Sequence, residues 1–506
     1  MHPTKGKFAI FPVVFGSILV LAPLRGDGPD ERDGRMVDLN VVAVDSHGQP
    51  VTDLTRDEFR VTDSGKPQSI AFFHHRDSGL AQAPPLGPNE FSNRGRANIP
   101  RATLILFDLL NERFDTRGTA ANQLVHDLAS LENPDFVYLY LLTVDGRLYP
   151  VHGLPGPEGG AEPPGSIPWT RQIKPLLNDA LRAVLQTRPV DIDVAVRVQL
   201  TFQALDAVAS GLSRVPGHKS IVWVTDGVPI ELGPRRSDTG DWVDFTPLLR
   251  RMSEAFDRAG VAVYPVRQVM MGSPDNVDGA NHDGMSSIAT LELFAGMTGG
   301  RPDAGKDIGA AVRQALTDMR TSYQIGYYPA SKNWDDRFHK LRITCTRKGV
   351  RIQTKTGYYA WQEPPGVKSQ QAIDAAASTG FDAAEIGLRA TLSRGPNGGS
   401  PMRIGAQIDA HDVVLVHDQN GYNGQLRLSI VGYTQAGPVQ RGSLIPLDLH
   451  LDAQTRDRAL QQGIHFVQDV KFGDDVKALR LIVFDKESDA IGSVTMPVPE
   501  AGKPNR

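Results

Sequence analysis

The stretch "TLILFDLLNERFD", residues 103–115, combines a buried strand with an acidic end. Its first five residues are apolar or β-branched, as in a strand that is covered on both faces. Asp108 follows where such a strand reaches solvent, and Glu112 lies four residues later. Leu110, between them, has no side-chain oxygen. The stretch therefore predicts a strand that ends in a carboxylate and is followed by an incomplete set of oxygen ligands.

The sequence after this stretch alternates between helices and strands. Helical spacing and apolar strand runs occupy, in order, residues 116–131, 136–143, 194–215, 220–225, 246–259, 260–266, 286–297 and 307–319. Such alternation predicts a mostly parallel sheet with helices on both faces. Ligands of these sheets bind beyond the carboxyl ends of the strands. Asp226 ends the run "IVWVTDG", so we expect it at the same sheet edge as Asp108.

The regions on either side of this segment have the two-residue period of β-strands. Alternating residues predict a small β unit over 36–78, followed by a linker rich in Pro, Gly and Asn over 79–100. The α/β domain then covers 101–361. After a second linker, 362–378, short strands separated by Gly, Asp and Asn predict an antiparallel β-sandwich over 379–506.

The N-terminal segment has the pattern of an export signal. Lys5 and Lys7 precede the apolar run 8–24, and a polar stretch follows. We expect residues 1–27 to be a signal peptide or a membrane anchor. The protein is then extracytoplasmic (periplasmic, secreted or at the cell surface), and it meets the membrane only through this segment.

Composition excludes several classes of protein. A hydrophobic content of 40% and a charged content of 22% are those of a globular chain. A formal net charge of −4 gives no basic footprint, so we expect no nucleic-acid partner. Cys345 is the single cysteine, which excludes an intrachain disulfide and a cysteine-rich zinc site.

Five stretches carry a resemblance to a known family. "GHKSIVWVTDGVP", "AGVAVYPV" and residues 291–319 resemble the second half of a von Willebrand factor A domain. Residues 41–73 and 321–360 resemble the N-terminal β unit and the closing hairpins of the VWFA-related proteins of the Acidobacteria type. The resemblance implies a von Willebrand factor A-like, Rossmann-type α/β domain between flanking β domains.

The same resemblance implies where a metal would bind. A domains hold Mg²⁺ or Mn²⁺ through an Asp-x-Ser-x-Ser motif, a Thr on a second loop and an Asp on a third. In this sequence Asp108 matches the first Asp and Asp226 the last, but Leu110 and Glu112 occupy the serine positions. Thr201 lacks the usual Gly-Gly before it. Hard cations require oxygen ligands, so the standard site is broken.

Two interpretations of the remaining residues follow. In the first, Asp108 and Asn111 cap the next helix, Glu112 lies at its positive end, and Asp226 makes a turn. In the second, Asp108, Glu112 and Asp226 form a carboxylate-rich site for Mg²⁺ or Mn²⁺, assisted by Asn111 or Asp115. We expect the first interpretation, and therefore no cofactor.

These features favour an exported, non-enzymatic, adhesion-type protein that binds another protein or an envelope component. The loops beyond Asp108, at 228–244 and at 271–287 would then form its binding edge. One alternative is a metal-dependent hydrolase that acts on an envelope substrate; another is a divalent-cation-dependent adhesin. The sequence has neither Gly-x-Ser-x-Gly nor His-Glu-x-x-His, which favours binding over catalysis.

Overall fold

The computed structural model describes one compact unit within residues 34–506. The described residues are 36–75, 86–87, 89–94, 102–111, 117–131, 137–154, 168–185, 194–213, 215, 219–228, 235–236, 242–243, 245–266, 291–301, 307–329, 334–360, 367–378, 382–394, 401–419, 421–434, 437–441, 444–473 and 475–499.

Strands outnumber helices in this unit. In chain order the strands are β1 (Val37–Val44), β2 (Phe59–Asp63), β3 (Lys66–Gln68), β4 (Ile70–His75), β5 (Glu90–Ser92), β6 (Ala102–Asp108), β7 (Val137–Leu142), β8 (Leu148–His152), β9 (Lys219–Val224), β10 (Arg235–Arg236), β11 (Trp242–Val243), β12 (Val261–Val266), β13 (Ser322–Tyr327), β14 (Phe338–Cys345), β15 (Arg351–Gln353), β16 (Gly357–Tyr359), β17 (Leu388–Arg394), β18 (Met402–Ile408), β19 (Val416–Asp418), β20 (Gly421–Thr434), β21 (Gly437–Arg441), β22 (Ile445–Leu451), β23 (Ile464–Val470), β24 (Ala478–Asp485) and β25 (Ile491–Pro497). The helices are α1 (Arg117–Ala129), α2 (Ile173–Leu185), α3 (Val194–Ser213), α4 (Thr246–Ala259), α5 (291–298), α6 (Ile308–Arg320), α7 (Val367–Ser378) and α8 (Ala453–Gln462).

A five-stranded mixed sheet carries the strand that ends at Asp108. Its order is β12-β9-β6-β7-β8, in which β8 is antiparallel and the other neighbours are parallel. Every residue of β6 is buried, because the two faces of the strand belong to two different cores. Leu104 and Leu106 pack with Trp223 in one core, whereas Ile105 and Phe107 lie in the other. This explains the continuous apolar run in the sequence.

The N-terminal β unit is completed by strands from much later in the chain. Two four-stranded antiparallel sheets, β15-β1-β13-β4 and β16-β14-β2-β3, share one hydrophobic core. Asp63, at the end of β2, is buried there and accepts hydrogen bonds from the hydroxyls of Tyr327 and Tyr358, each at 2.9 Å. Residues 36–75 and the described part of residues 321–360 therefore form a single folded body.

The C-terminal region consists of two more antiparallel sheets. One has the order β23-β18-β17-β5, and its edge strand β5 comes from residues 90–92, within the predicted linker. In the other, β20 pairs with β19, β21, β22 and β24, and β25 follows β24. Helix α7 packs on this sheet, where Ile373 and Ala377 join its core.

The predicted fold class is wrong for the chain as a whole. Within the described residues, four antiparallel sheets of four to six strands stand against one mixed sheet, so the chain is not a helix-rich, Rossmann-type von Willebrand factor A-like fold. The physical reason is long-range antiparallel pairing. Among the described residues, β13 to β16 form β-sheets with β1 to β4, and the alternation of helices with parallel strands stops at β12.

Candidate functional site

Asp108 is the fully buried centre of a hydrogen-bonded cluster at the carboxyl edge of the parallel strands. Its Oδ1 accepts from the backbone N–H of Asn111 at 3.0 Å. Its Oδ2 accepts from Asn111 Nδ2 at 2.8 Å, Thr225 Oγ1 at 2.9 Å and Trp223 Nε1 at 3.1 Å. Burial raises the pKa of Asp108 above its ordinary value, while these donors act in the opposite direction.

The side-chain amide of Asn111 connects Asp108 to helix α3. Asn111 Nδ2 donates to Asp108 Oδ2 and, at 2.8 Å, to Thr201 Oγ1. The Thr201 hydroxyl in turn donates to the carbonyl of Arg197 at 2.9 Å. The Oδ1 atom of Asn111 is buried and has no hydrogen-bond partner within the described residues. Two of the positions matched to the metal motif, Asp108 and Thr201, are thus joined through an amide nitrogen.

The structure describes only part of the predicted carboxylate site. Glu112 and Asp115 lie outside the described residues. Asp226 follows β9 and is half-buried, and the next residue, Gly227, has a φ of 102° and donates its N–H to Thr225 Oγ1 at 3.0 Å. Among the described residues, no group of three or more His, Cys, Asp or Glu side chains is arranged to hold a metal ion.

Asp108 accepts the N–H of Asn111 in the turn after β6. Residues 112–116 lie outside the described residues, so the expected capping of the next helix by Asp108 and Asn111 stays a prediction. Of the expected binding loops, 271–287 lies wholly outside the described residues, and of 228–244 the structure describes only 228, 235–236 and 242–243.

Sequence reasoning missed two donors of the Asp108 cluster. Trp223 and Thr225 lie on or just after β9, and the register pairs Leu106 with Trp223. A tryptophan inside a buried strand needs an acceptor for its indole N–H. The buried tryptophan was therefore the signal in the sequence for a nearby acceptor, and in the structure that acceptor is Asp108, at the end of the adjacent strand.

A concave feature lies at the opposite, amino edge of the parallel strands. It is a cleft of about 670 Å³ between the mixed sheet, the strands around β1 and β16, and the C-terminal region. This volume is typical of ligand sites. Lys219 and Val261, at the first positions of β9 and β12, line one wall, and α7 contributes to another.

A buried carboxylate, Asp318, forms part of the cleft wall. Tyr264 donates its hydroxyl to Asp318 Oδ2 at 3.0 Å, and Gln314 Nε2 donates to Oδ1 at 2.6 Å. Arg301 Nε lies 3.3 Å from Oδ2. Burial raises the pKa of Asp318, with Arg301 and Gln314 opposing the shift.

Comparisons with known proteins do not assign this chain to a family. No family model matches the chain, and no curated protein matches it. A search of solved structures finds similarity to the human COPII-coat protein Sec24c, at 10% sequence identity and a TM-score of 0.22. The match covers 83% of this chain and 47% of that one, so this chain spans less than half of its length. A TM-score this low does not establish a shared fold.

One finding bears on the membrane. In the part of the chain that the structure describes, no helix is long and apolar enough to cross a bilayer. Residues 1–27, the predicted signal peptide or anchor, lie outside that part.

Proposed function

We propose that this chain is an exported, non-enzymatic binding protein that recognises another protein or an envelope component. In this proposal the Asp108 cluster stabilises the fold and needs no metal. The observation that carries the proposal is that both carboxylate oxygens of Asp108, a fully buried residue, are engaged by protein donors.

A metal at Asp108 would have to displace some of these donors. Mg²⁺ and Mn²⁺ take several oxygen ligands and keep water or a partner's carboxylate among them. Opening the cluster would free the buried indole N–H of Trp223 or the amide of Asn111, at a cost of about 1–3 kcal/mol for each unsatisfied group. The amide nitrogen of Asn111 donates to both Asp108 and Thr201, so it already joins the end of β6 to helix α3 without a metal.

The same geometry favours binding over hydrolysis. A general acid or base must reach the substrate within hydrogen-bond distance, directly or through one water. Asp108 has no exposed surface, and four donors surround its carboxylate. The cleft at the amino edge, in contrast, combines polar and aromatic walls with the size of a recognition site.

Titration calorimetry of the purified full chain with Mg²⁺ and with Mn²⁺ tests the metal-independent part of the proposal. We expect no micromolar binding, and equal results for Asp226→Ala and for Asp179→Ala, an exposed residue of α2. Micromolar binding that is lost in Asp226→Ala alone would overturn this part and support a cation-dependent adhesin.

Capture from envelope extract tests the binding part. We expect the immobilised full chain to retain the same specific partner with and without chelator. Partner retention that disappears with chelator would contradict metal independence. Failure to retain any envelope component, together with turnover of an envelope polymer, would replace binding by hydrolysis.

A further inference from the structure

Most sheet edges among the described residues are closed to pairing with another chain. Five edge strands contain a proline, which lacks the backbone N–H that such pairing needs. These prolines are Pro67 in β3, Pro150 in β8, Pro265 in β12, Pro438 in β21 and Pro446 in β22. The edge strands β5, β15, β16 and β19 have three residues each and offer few backbone groups.

Two longer edge strands are protected in other ways. On β25, the N–H of Ser493 donates to the carbonyl of Ala383 at 2.8 Å, and the N–H of Thr495 donates to Asp382 Oδ2 at 2.9 Å. Strand β4 has a register shift against β13, and such irregularities disfavour further pairing. Strand β23 has neither protection. Its seven residues include no proline, and it pairs without a register shift with β18 alone among the described strands.

The backbone groups of His465, Val467 and Asp469 face away from β18. Just beyond β18, the N–H of Asp409 donates to the carbonyl of Gly387 at 2.9 Å, in the register that pairs β18 with β17. Backbone groups of successive residues point to opposite sides of a strand. The odd-numbered residues of β18 therefore bond to β17 and the even-numbered ones to β23. Because the register pairs even with even, the odd-numbered residues of β23 face outwards.

The same three residues of β23 have exposed side chains. Val467 is 64% exposed, the highest value among the large apolar side chains of the described residues, and His465 and Asp469 on either side of it are also exposed. The carbonyl of Asp469 accepts from Gln468 Nε2 at 3.0 Å, as a carbonyl at a free edge can. A long, regular edge with an exposed valine is typical of a strand that pairs with another chain.

The sequence of β23 is complementary to itself in the antiparallel direction. With a twofold axis at Val467, His465 lies opposite Asp469 of a second copy, on the exposed face. An imidazole N–H donates to a carboxylate in either protonation state of the ring. On the other face Ile464 lies opposite Val470, and both pack on the core of the C-terminal region. Apolar residues thus meet apolar ones, and a donor meets an acceptor.

This axis also matches the backbone groups. It places the outward N–H and C=O groups of Val467 opposite those of the second Val467, and those of His465 opposite those of Asp469. Opposed residues of this kind exchange two backbone hydrogen bonds in an antiparallel pair. An axis shifted along the strand would leave residues at its end unpaired.

We propose that two copies of this chain pair antiparallel through β23, with a twofold axis at Val467. The pairing joins the β23-β18-β17-β5 sheets of the two copies into one continuous sheet. A twofold axis makes the contact isologous, so assembly stops at two copies. The proposal is independent of the partner discussed above. The dimer presents two copies of the binding protein together, which strengthens attachment to a surface with several partner molecules.

Sedimentation equilibrium of the full chain tests the dimer. We expect dimers at about 100 μM that dissociate on dilution to about 1 μM, because a contact through one strand edge is small. Val467→Pro removes an N–H that faces away from β18, so it leaves that pairing intact and should abolish the dimer. Circular dichroism of each variant shows whether it is folded.

Two substitutions of His465 form a matched pair at one exposed position. His465→Asp places a carboxylate opposite Asp469 of the second copy and should weaken the dimer about tenfold, whereas His465→Lys keeps a donor there and should change it by less than about twofold. Val467→Lys should also dissociate the dimer, since it places two ammonium groups at the axis. Val196→Lys is its control, because Val196 is 45% exposed on α3 and should not affect the dimer.

Three results would overturn this contact. One is a full chain that stays monomeric at about 100 μM. Another is a dimer that His465→Asp and His465→Lys affect equally, which also decides the matter if Val467→Pro does not fold. The third is equal weakening by Val467→Lys and Val196→Lys, which would mean general apolar attraction. A monomeric chain that still retains a specific partner from envelope extract would refute the dimer and leave the proposed function standing.

Discussion

Two fully buried aspartates of this protein lie at the ends of strands, but different kinds of donor bind their carboxylates. Asp108 ends β6 and collects side-chain donors from Asn111, Trp223 and Thr225. Asp485 ends β24 and accepts backbone N–H groups of Val414 at 2.8 Å and Glu487 at 3.0 Å. The first connects strands and a helix of the mixed sheet, and the second fixes the turns of the C-terminal region.

The difference shows in how each carboxylate is stabilised. Burial raises the pKa of both groups, and for Asp485 it reaches about 7 although Val414, Ser488 and Glu487 donate to it. A buried strand-end carboxylate is therefore no mark of a functional site by itself. Asp108 attracts attention because of its position in a metal motif, whereas Asp485 has the same burial and no such motif.

The largest effect that we expect comes from Asp108→Ala. This change leaves the buried indole N–H of Trp223, the Thr225 hydroxyl and the amide of Asn111 without their common acceptor. We expect a loss of about 3–5 kcal/mol in the free energy of unfolding, measured by urea denaturation. Asp179→Ala, on the exposed side of α2, should change it by less than about 0.5 kcal/mol. A loss below about 1 kcal/mol for Asp108→Ala would show that the cluster does not stabilise the fold.

A change of pH tests how Asp485 is stabilised, because burial raises the pKa of this carboxyl from 3.8 to about 7. Between about pH 4 and 7 the folded chain keeps a proton on this carboxyl that the unfolded chain releases. The stability contributed by Asp485 is therefore complete below pH 4 and decreases as the pH rises towards 7. From pH 5 to 8 we expect a decrease of roughly 1–3 kcal/mol in the free energy of unfolding.

The control for this pH dependence is Asp485→Asn, which has no titrating group at the position. Its overall stability should be lower, because an amide cannot accept from Val414, Glu487 and Ser488 at once. Its free energy of unfolding should nevertheless change less between pH 5 and 8 than that of the unaltered chain. Equal pH dependence in the two proteins would assign the effect to another group.

The sequence predicts local elements of this protein better than their partners. The apolar run from Thr103 to Phe107 lies within β6, and its carboxylate end is where the sequence places it. The pairing of β1 with β13 joins residues almost three hundred positions apart, and strand period says nothing about such partners. Strand β5 is even harder to predict from the sequence. Its three residues lie in a Pro- and Gly-rich stretch, and they form a strand by pairing with β17.

The candidate site was predictable to a similar degree. The sequence shows that Asp108 lacks a usual hydroxyl neighbour, because Leu110 occupies the position of the first serine in the metal motif. It indicates that the buried indole of Trp223 needs an acceptor, but the choice of Asp108 as the acceptor for Trp223 and Thr225 depends on the register of β6 against β9. The cleft at the amino edge was also missed, because its lining residues are scattered from position 36 to position 491 and come together only in the folded chain.

The smallest effect that we expect is that of Thr201→Val, which tests whether the Asp108 cluster works through protein hydrogen bonds. Thr201 is fully buried, and its hydroxyl accepts from Asn111 Nδ2 and donates to Arg197. Valine keeps the shape and leaves one amide hydrogen of Asn111 without an acceptor, so we expect a loss of about 0.5–1.5 kcal/mol. Thr317→Val is the matched control, because Thr317 makes the same kind of bond to a carbonyl of its own helix, Arg313, at 2.8 Å.

Thermal unfolding with and without Mn²⁺ completes this test. If hydrogen bonds alone hold the cluster, Mn²⁺ leaves the Tm of the unaltered chain and of Thr201→Val unchanged, and the two differ only by the lost bond. If a cation occupies the site, Mn²⁺ raises the Tm of the unaltered chain, because a ligand that binds the folded state stabilises it, and the increase shrinks in Thr201→Val. That second outcome would make Asp108 a metal ligand and the amide of Asn111 a substitute that yields to the ion.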